Sequence, residues 1–436
     1  MVTEARTITI PHVGRVEGHG GIHVRLSGDA VAAVEMDIHE GSRYYEALLV
    51  GKNFLEVQGI ITRVCAICSA DHTVAALEAL ESAIGIHVSD RTRLFRGLML
   101  RGAAVESHAL HVFALALPDF LGYGSVMEMA GKFPKEVASA LRLKQLGNRI
   151  QTSVGGRAVH PVNAVVGGFA SLPGHEELES LRRDLTVGLQ SALEFVELAR
   201  SVDLPTWATG DRVYVALKPR RGDYGFRGAS IVTSSGDEFP IAEYRRVARE
   251  FLVDHSHAKH AALESGETYM VGALSRLHLW GDYLQGQARQ ACEALFPDGP
   301  SHNVLFNSWA QLVEIVHAIE TAIGIIDDVL ALDEVASEAT EYEVRAGRGI
   351  AAVEVPRGTL FHEFELDDAG IVVAANVVTP TSQNLANTEI DLRRAAVGLL
   401  GSDGAGDAEL KLGLEMVVRA YDPCISCSVH VTRADI

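Results

Sequence analysis

Two cysteine pairs of the form CxxC carry the densest chemistry in this chain. Cys65 and Cys68 lie in Arg-Val-Cys-Ala-Ile-Cys, and Cys424 and Cys427 lie in Asp-Pro-Cys-Ile-Ser-Cys-Ser-Val-His. A fold that brings the pairs together creates a pocket of four thiolates, a donor set suited to a soft metal. A lone CxxC is equally compatible with redox chemistry or a zinc knuckle. For two pairs, four-cysteine zinc is the plain alternative. Structural zinc usually stabilises a small module that lacks a core of its own, whereas 436 residues can bury a large one.

The elements that must position these thiols can be read from local pattern. Residues 6–40 alternate apolar and polar side chains around a Ser-Gly-Asp turn at 27–29, predicting antiparallel strands at Thr7–Pro11, His23–Leu26 and Val31–Ile38. Ser69-Ala70-Asp71 offers helix-start chemistry, with Leu77, Leu80 and Ile84 on one face. Cys68 then sits at that helix N-terminus, where the dipole favours a thiolate. From about 87 to 330 the pattern reads as mainly helical. Its clearest stripe is Leu312, Val316, Ile319, Ile323 and Ile326, which is core packing rather than a ligand box. Glycine-rich interruptions at Gly155-Gly156, Gly167-Gly168 and Arg220–Gly228 read as loops. Residues 359–378 form a hairpin turning at 367–370, and a last helix covers 405–420. The fold class expected is α+β, mainly α: a central long-helix bundle (about 70–330), a small N-terminal antiparallel sheet (6–40) and a second small β-element near 345–378. With no repeats or linkers, residues 1–436 read as one domain ending in a metal-binding segment at 405–430.

Thirty-eight basic against 57 acidic residues give a formal charge of −19, which argues against nucleic acid or an anionic membrane surface as partner. An apolar fraction of 47% and a charged fraction of 22% are those of a globular chain. No apolar run approaches the roughly 18 residues of a membrane span, the richest candidate being His108–Phe120. Five cysteines, four of them in CxxC pairs, argue against a disulfide framework and make a reducing compartment the expectation.

The residues flanking the cysteines add a resemblance. Arg15-Val16-Glu17-Gly18-His19 opens it, followed by Ser42-Arg43-Tyr44-Tyr45-Glu46 and by Arg63–Cys68 with His72. Midway lie Leu117-Pro118-Asp119-Phe120 and Gly155-Gly156-Arg157-Ala158-Val159-His160-Pro161. Pro356-Arg357-Gly358 with His362, Pro380-Thr381-Ser382-Gln383-Asn384-Leu385, and Asp422-Pro423-Cys424 with His430 complete it. Nearly end to end, the sequence resembles the large, catalytic subunit of nickel–iron hydrogenases, and its details look most like the cytoplasmic group.

The resemblance implies a nickel–iron centre whose iron carries carbon monoxide and two cyanides, installed by maturation factors. Cys65 and Cys424 look like terminal nickel ligands, with Cys68 and Cys427 bridging to iron. Arg357, Pro356 and Thr381 would surround the cyanides, and Asp119 and Asp422 would hold the Arg357 guanidinium. Heterolytic cleavage of H2 to protons and electrons needs a base: a terminal thiolate such as Cys424 takes the proton and Glu17 relays it outward. Glu46, His430 and a backbone carbonyl near Val377 match a second site, usually Mg2+. His72 and His160 read as packing or supporting histidines.

Beyond the four ligands only Cys292 remains, and one cysteine cannot hold an iron–sulfur cluster. An iron–sulfur small subunit is the partner implied, with diaphorase, deazaflavin- or heterodisulfide-reductase-type subunits beyond it. Only Val431–Ile436 follow His430, as in a precursor with a very short extension or a subunit that matures without cleavage. The alternatives are an H2-sensing subunit of the same fold and a non-catalytic four-cysteine zinc protein. The related quinone-binding subunit of respiratory complex I has lost the cysteines retained here.

Overall fold

The computed structural model describes residues 5–28, 30–219, 224–332, 340–401 and 406–430. Asp29 of the first turn, residues 220–223 of the Arg220–Gly228 loop, residue 405 and Val431–Ile436 lie outside the described residues.

Three antiparallel strands, β1 (Ala5–Ile10), β2 (Gly20–Ser27) and β3 (Ala30–Ile38), form the N-terminal sheet, with Ile10 opposite Ile22 and Gly20 opposite Ile38. Alternation buries Ile8, Ile22, Val24, Val34 and Met36 on one face, the period-2 pattern that marks this segment in the sequence. A short helix, α1 (Tyr45–Leu49), leads to the first CxxC, and α2 (Ser69–Ile84) starts directly after Cys68 and ends on left-handed Gly85.

The centre is a set of long helices: α3 (Asp90–Leu110), α4 (Pro134–Gly155), α5 (His175–Arg200) and α6 (Asn307–Ala331). Helix α3 packs on α4 and α6, and α6 also packs on α5. Leu312, Val316, Ile319 and Ile326 of α6 are buried and Ile323 packs partly buried beside them, so the stripe is core. Among the described residues, the stretch Val304–Ala331, rather than His108–Phe120, is the one long and apolar enough by composition to cross a membrane, and most of it is buried inside the fold. Helices α3 and α4 approach closely because of glycine: a Cβ on Gly147 would lie 2.4 Å from the Glu106 backbone nitrogen and 2.6 Å from the Gly102 carbonyl oxygen.

The stretch from 87 to 330 is mainly helical, as its pattern reads, but strands the pattern does not mark break it. Strands β4 (Val213–Pro219), β5 (Gly228–Thr233) and β6 (Glu238–Pro240) interrupt it, followed by the hairpin β7 (Arg249–Val253) and β8 (Ser256–Ala262) and by β9 (Tyr269–Met270), parallel to β4. Buried runs such as Val213–Leu217 lack polar alternation, and periodicity alone cannot separate such a strand from a buried helix segment.

The second β-element stands where it was expected: β10 (Gly347–Val355), β11 (Gly358–Leu366) and β12 (Val372–Val378), with the β11–β12 turn closed by Gly370 N–H donating to the Asp367 carbonyl at 2.9 Å. Strand β10 lies directly on α2, since a Cβ on Gly349 would fall 2.0 Å from the Ala79 carbonyl oxygen. This contact sets the β10–β11 turn, which carries Pro356 and Arg357, above the first CxxC. Helices α7 (Pro380–Leu400), α8 (Asp407–Ala420) and the short α9 (Ile425–Ser428) finish the chain.

Gly147→Ala gains about 1 kcal/mol of helix propensity but forces two backbones apart at about 1–3 kcal/mol. The close approach is to backbone atoms, so overpacking wins. We expect a lower denaturant midpoint at unchanged slope; an unchanged or higher midpoint would contradict the close α3–α4 packing.

Candidate metal centre

Each cysteine is delivered by a turn whose backbone is fixed by other segments. Cys65 is extended, at the end of a 3-10 turn over Thr62–Val64, and Cys68 is the residue immediately before α2. Its loop is pinned by His160, whose backbone N–H donates to Ser69 Oγ at 3.0 Å and whose ring nitrogen Nδ1 meets the Thr62 carbonyl at 2.9 Å. Cys424 precedes α9, and Cys427 lies within it. Residues 17 and 424 form a parallel bridge, with Ile425 N–H donating to the Glu17 carbonyl at 3.0 Å, and Cys424 N–H donates to Thr381 Oγ1 at 3.0 Å. Two distant stretches of chain, around Glu17 and Thr381, therefore set one cysteine.

The four sulfurs converge in the interior. Sγ separations are 3.3 Å for Cys65–Cys424, 3.4 Å for Cys68–Cys427 and 2.9 Å for Cys424–Cys427, and all four residues are buried. Four thiolates about 2.3 Å from one metal stand about 3.3–3.8 Å apart, so the donor set fits a four-sulfur metal with only small adjustment. Hydrogen bonds from Cys424, Cys427 and Cys68 hold the Cys65 thiol well below its usual range. Cys68 is pushed well above it, chiefly through its pairing with Cys424, and Cys427 likewise, chiefly by burial. In a shared cage the first charge settles on Cys65 and raises the cost of the next.

Arg357 supplies the compensating cation. It is 6% exposed, and its Nε and Nη2 donate to the Asp422 carbonyl (2.7 Å) and Oδ1 (3.0 Å), with Nη1 on Ser107 Oγ at 3.2 Å. Burial works against its charge, but Asp422 and the sulfurs of Cys424, Cys68 and Cys65 outweigh burial and hold the guanidinium protonated. Gln311 Nε2 in turn donates to Asp422 Oδ2 at 3.0 Å. Asp119 does not join this group, contrary to the sequence expectation. Its carboxylate pairs with Arg15 and, at 2.6 Å, with the Nε of buried Arg419, which also donates to the Gly14 carbonyl at 2.9 Å. Asp119 therefore anchors the segment leading to Glu17 rather than Arg357. The Pro356 carbonyl is held by Arg276 Nη2 at 3.2 Å, and Arg276 itself lies between Glu314 (2.6 and 2.7 Å) and Glu354 (2.7 Å).

The Glu17 carboxylate sits on the loop between the second pair of ligands: Oε2 accepts from Ser426 N–H at 3.0 Å and Oε1 from the Ser426 hydroxyl. Nearby, Glu46 and His430 are 3% and 4% exposed, with Oε1 and Nδ1 2.6 Å apart. That contact lacks hydrogen-bond geometry, and all four side-chain polar atoms of the pair have no hydrogen-bond partner. Burial opposes both charges, yet each partner's field outweighs it, so the Glu46 carboxyl is held below and the His430 imidazole above its usual range. Two orphaned donors facing one point fit a cation between them. Val377 lies on β12, the strand on which α1 packs, opposite His362 in β11. His362 Nε2 meets His72 Nδ1 at 3.0 Å; burial drives the His72 pKa down to about 4, leaving it a neutral packing residue.

The family model for nickel-dependent hydrogenases matches residues 43–139 and 305–430, which include all four cysteines, Glu46, Arg357 and His430. The chain belongs to this family. It is 40% identical over 426 residues to the alpha subunit of sulfhydrogenase 1 from Pyrococcus furiosus, covering 98% of both chains. It is 33% identical to the alpha subunit of sulfhydrogenase 2 from the same organism, over 98% of this chain and 99% of that one. Among solved structures, an NAD+-reducing NiFe hydrogenase in the H2-reduced state superposes with a TM-score of 0.87 at 26% identity, covering 98% and 99% of the two chains. The protein is accordingly an oxidoreductase acting on H2, and its buried four-sulfur cage is that of a nickel-dependent hydrogenase large subunit.

Several residues of this hydrogenase centre carry no signal in the sequence. Ser426, Ser107 and Gln311 are ordinary residue types whose role comes only from where the fold puts them. Arg276, 1% exposed, ties β10 and α6 to the turn bearing Arg357. Arg276→Met would leave Glu314 and Glu354 buried without their counter-ion, a loss expected to cost about 3–5 kcal/mol. The denaturant midpoint reads it, and a change below about 1 kcal/mol would show that the network does not hold this turn.

Proposed function

We propose that this chain is the subunit that cleaves H2 heterolytically, passing protons out through Glu17 and electrons to an iron–sulfur partner subunit. The observation that carries the reading is the buried cage of four sulfurs with a guanidinium on one side and a fixed carboxylate on the other. A zinc site of four cysteines would account for neither Arg357 nor Glu17. Cys65, Cys68, Cys424 and Cys427, whose sulfurs converge in one buried cage, would hold a nickel–iron centre. When bound, that centre, with carbon monoxide and two cyanides on its iron, supplies the two-electron chemistry that side chains lack.

The protein's own contribution is placement and electrostatics. Arg357 and Thr381 place a cationic fork and a hydroxyl where anionic ligands of the centre need donors, and Pro356 contributes an apolar wall. The Asp422 pair keeps the guanidinium oriented and charged, so Arg357 polarises rather than accepts a proton. The base is the Cys424 thiolate, whose Sγ receives the proton. The Glu17 carboxylate, fixed by Ser426 beside that cysteine, carries it toward solvent. Glu46, His430 and the Val377 carbonyl would hold Mg2+, which prefers oxygen ligands and several waters. That ion would lock the C-terminal segment against α1, as the Arg43–His430 bridge already begins to do.

Electrons must leave through another subunit. Cys292, half-buried in the Gly286–Leu295 helix, stands apart from the four ligands, and one thiol cannot hold a cluster. Membership of a group that delivers electrons to NAD(P), a deazaflavin or a heterodisulfide reductase in the cytoplasm is supported by five free cysteines and the likeness to the NAD+-reducing enzyme.

Glu17→Gln tests the relay. The amide is isosteric and can still accept from Ser426, so nickel and iron should stay at wild-type amounts while H/D exchange falls by at least about 100-fold, the scale of a lost acid–base group. Wild-type exchange in Glu17→Gln with both metals present would sink the assignment.

A further inference from the structure

A second cluster of metal-type ligands lies away from the cysteines and from the Glu46–His430 pair. His255 occupies the turn of the β7–β8 hairpin, His260 lies on β8, and Glu389 lies on α7. One nitrogen from each ring and one carboxylate oxygen all fall within 4.8 Å of one another. His255 Nε2 is 2.7 Å and His260 Nε2 is 3.6 Å from the same oxygen, Glu389 Oε1, which also accepts from Met36 N–H at 2.9 Å.

An ordinary His255–Glu389 ion pair explains only part of this. His260 is 1% exposed, and neither of its ring nitrogens has a hydrogen-bond partner. Buried polar groups are nearly always satisfied, so an imidazole aimed at a carboxylate from beyond hydrogen-bond reach calls for a third body. A tetrahedral metal about 2.0–2.1 Å from each donor sets the donors about 3.3 Å apart, and the observed 2.7 and 3.6 Å bracket that value. His255 and Glu389 are 26% and 20% exposed at the side chain, which leaves an open side for a water ligand. Two imidazoles and one carboxylate favour a borderline ion such as zinc over Mg2+ or Ca2+.

We propose that His255, His260 and Glu389 form a zinc(II) site that fastens the β7–β8 hairpin to α7 and, through Met36, to the N-terminal sheet.

The test is zinc content per chain after the tag-free, full-length protein is equilibrated with Zn2+ in excess Mg2+ and desalted, for wild type, His255→Ala and His260→Ala. The difference between wild type and variant counts only this cluster, whatever the four cysteines hold, so its failure is separate from any failure of the nickel–iron reading. The expected result is one zinc fewer in each variant, a zinc-dependent rise in melting temperature in wild type alone, and nitrogen/oxygen neighbours for the extra zinc by X-ray absorption. His255 lies in a partly exposed turn, so His255→Ala should keep the fold even if His260→Ala does not. Equal zinc in wild type and His255→Ala, or an extra zinc with only sulfur neighbours, would overturn the proposal.

Discussion

Four sulfur ligands from opposite ends of the chain meet in a dry interior, and the rest of the site answers the electrostatic problem this creates. A buried thiolate beside three other sulfurs is costly unless a cation lies close and is itself satisfied. Arg357 is that cation, Asp422 is its partner, and Gln311 and Ser107 complete the hydrogen bonding. One shell further out the pattern repeats. Arg276 between Glu314 and Glu354 holds the turn that bears Arg357, and Asp119 between Arg15 and Arg419 holds the segment that bears Glu17. Each buried charge is thus positioned by another buried charge. Such an arrangement adds less to stability than to uniqueness, because removing one member strands the next.

The backbone serves the same end. Segments near residues 17, 43, 381 and 424 are joined by single bridges and bonds rather than by one continuous sheet. The two CxxC turns are therefore registered by contacts at three points, and helix α2, pressed against the glycines of β10, fixes the height of Arg357 above them. Close glycine packing between α3 and α4 fixes the helix that carries Ser107, the partner of Arg357 Nη1.

Much of this was legible in the sequence where the determinant is local. The N-terminal strands follow from alternation, the start of α2 from Ser69-Ala70-Asp71, and the β11–β12 turn from Asp367–Gly370. The cysteine set follows from spacing and flanking motifs. What was not legible is what only tertiary contact decides. Asp119 faces Arg15 and Arg419 rather than Arg357 because three arginines compete for two aspartates, and nothing in the sequence says which meet. Strands β4 and β8 are hidden by burial on both faces, which erases the polar alternation of a half-exposed strand. Ser426 was overlooked because its importance lies wholly in the carboxylate it faces.

The central claim is that the four-sulfur cage beside Arg357 holds a nickel–iron centre with diatomic ligands. Infrared spectroscopy, with elemental analysis, of protein isolated from a host with competent nickel-hydrogenase maturation tests it most directly. The account predicts bands of metal-bound carbon monoxide and cyanide, and nickel and iron in equal amounts. Zinc in the cysteine cage with no such bands would contradict it.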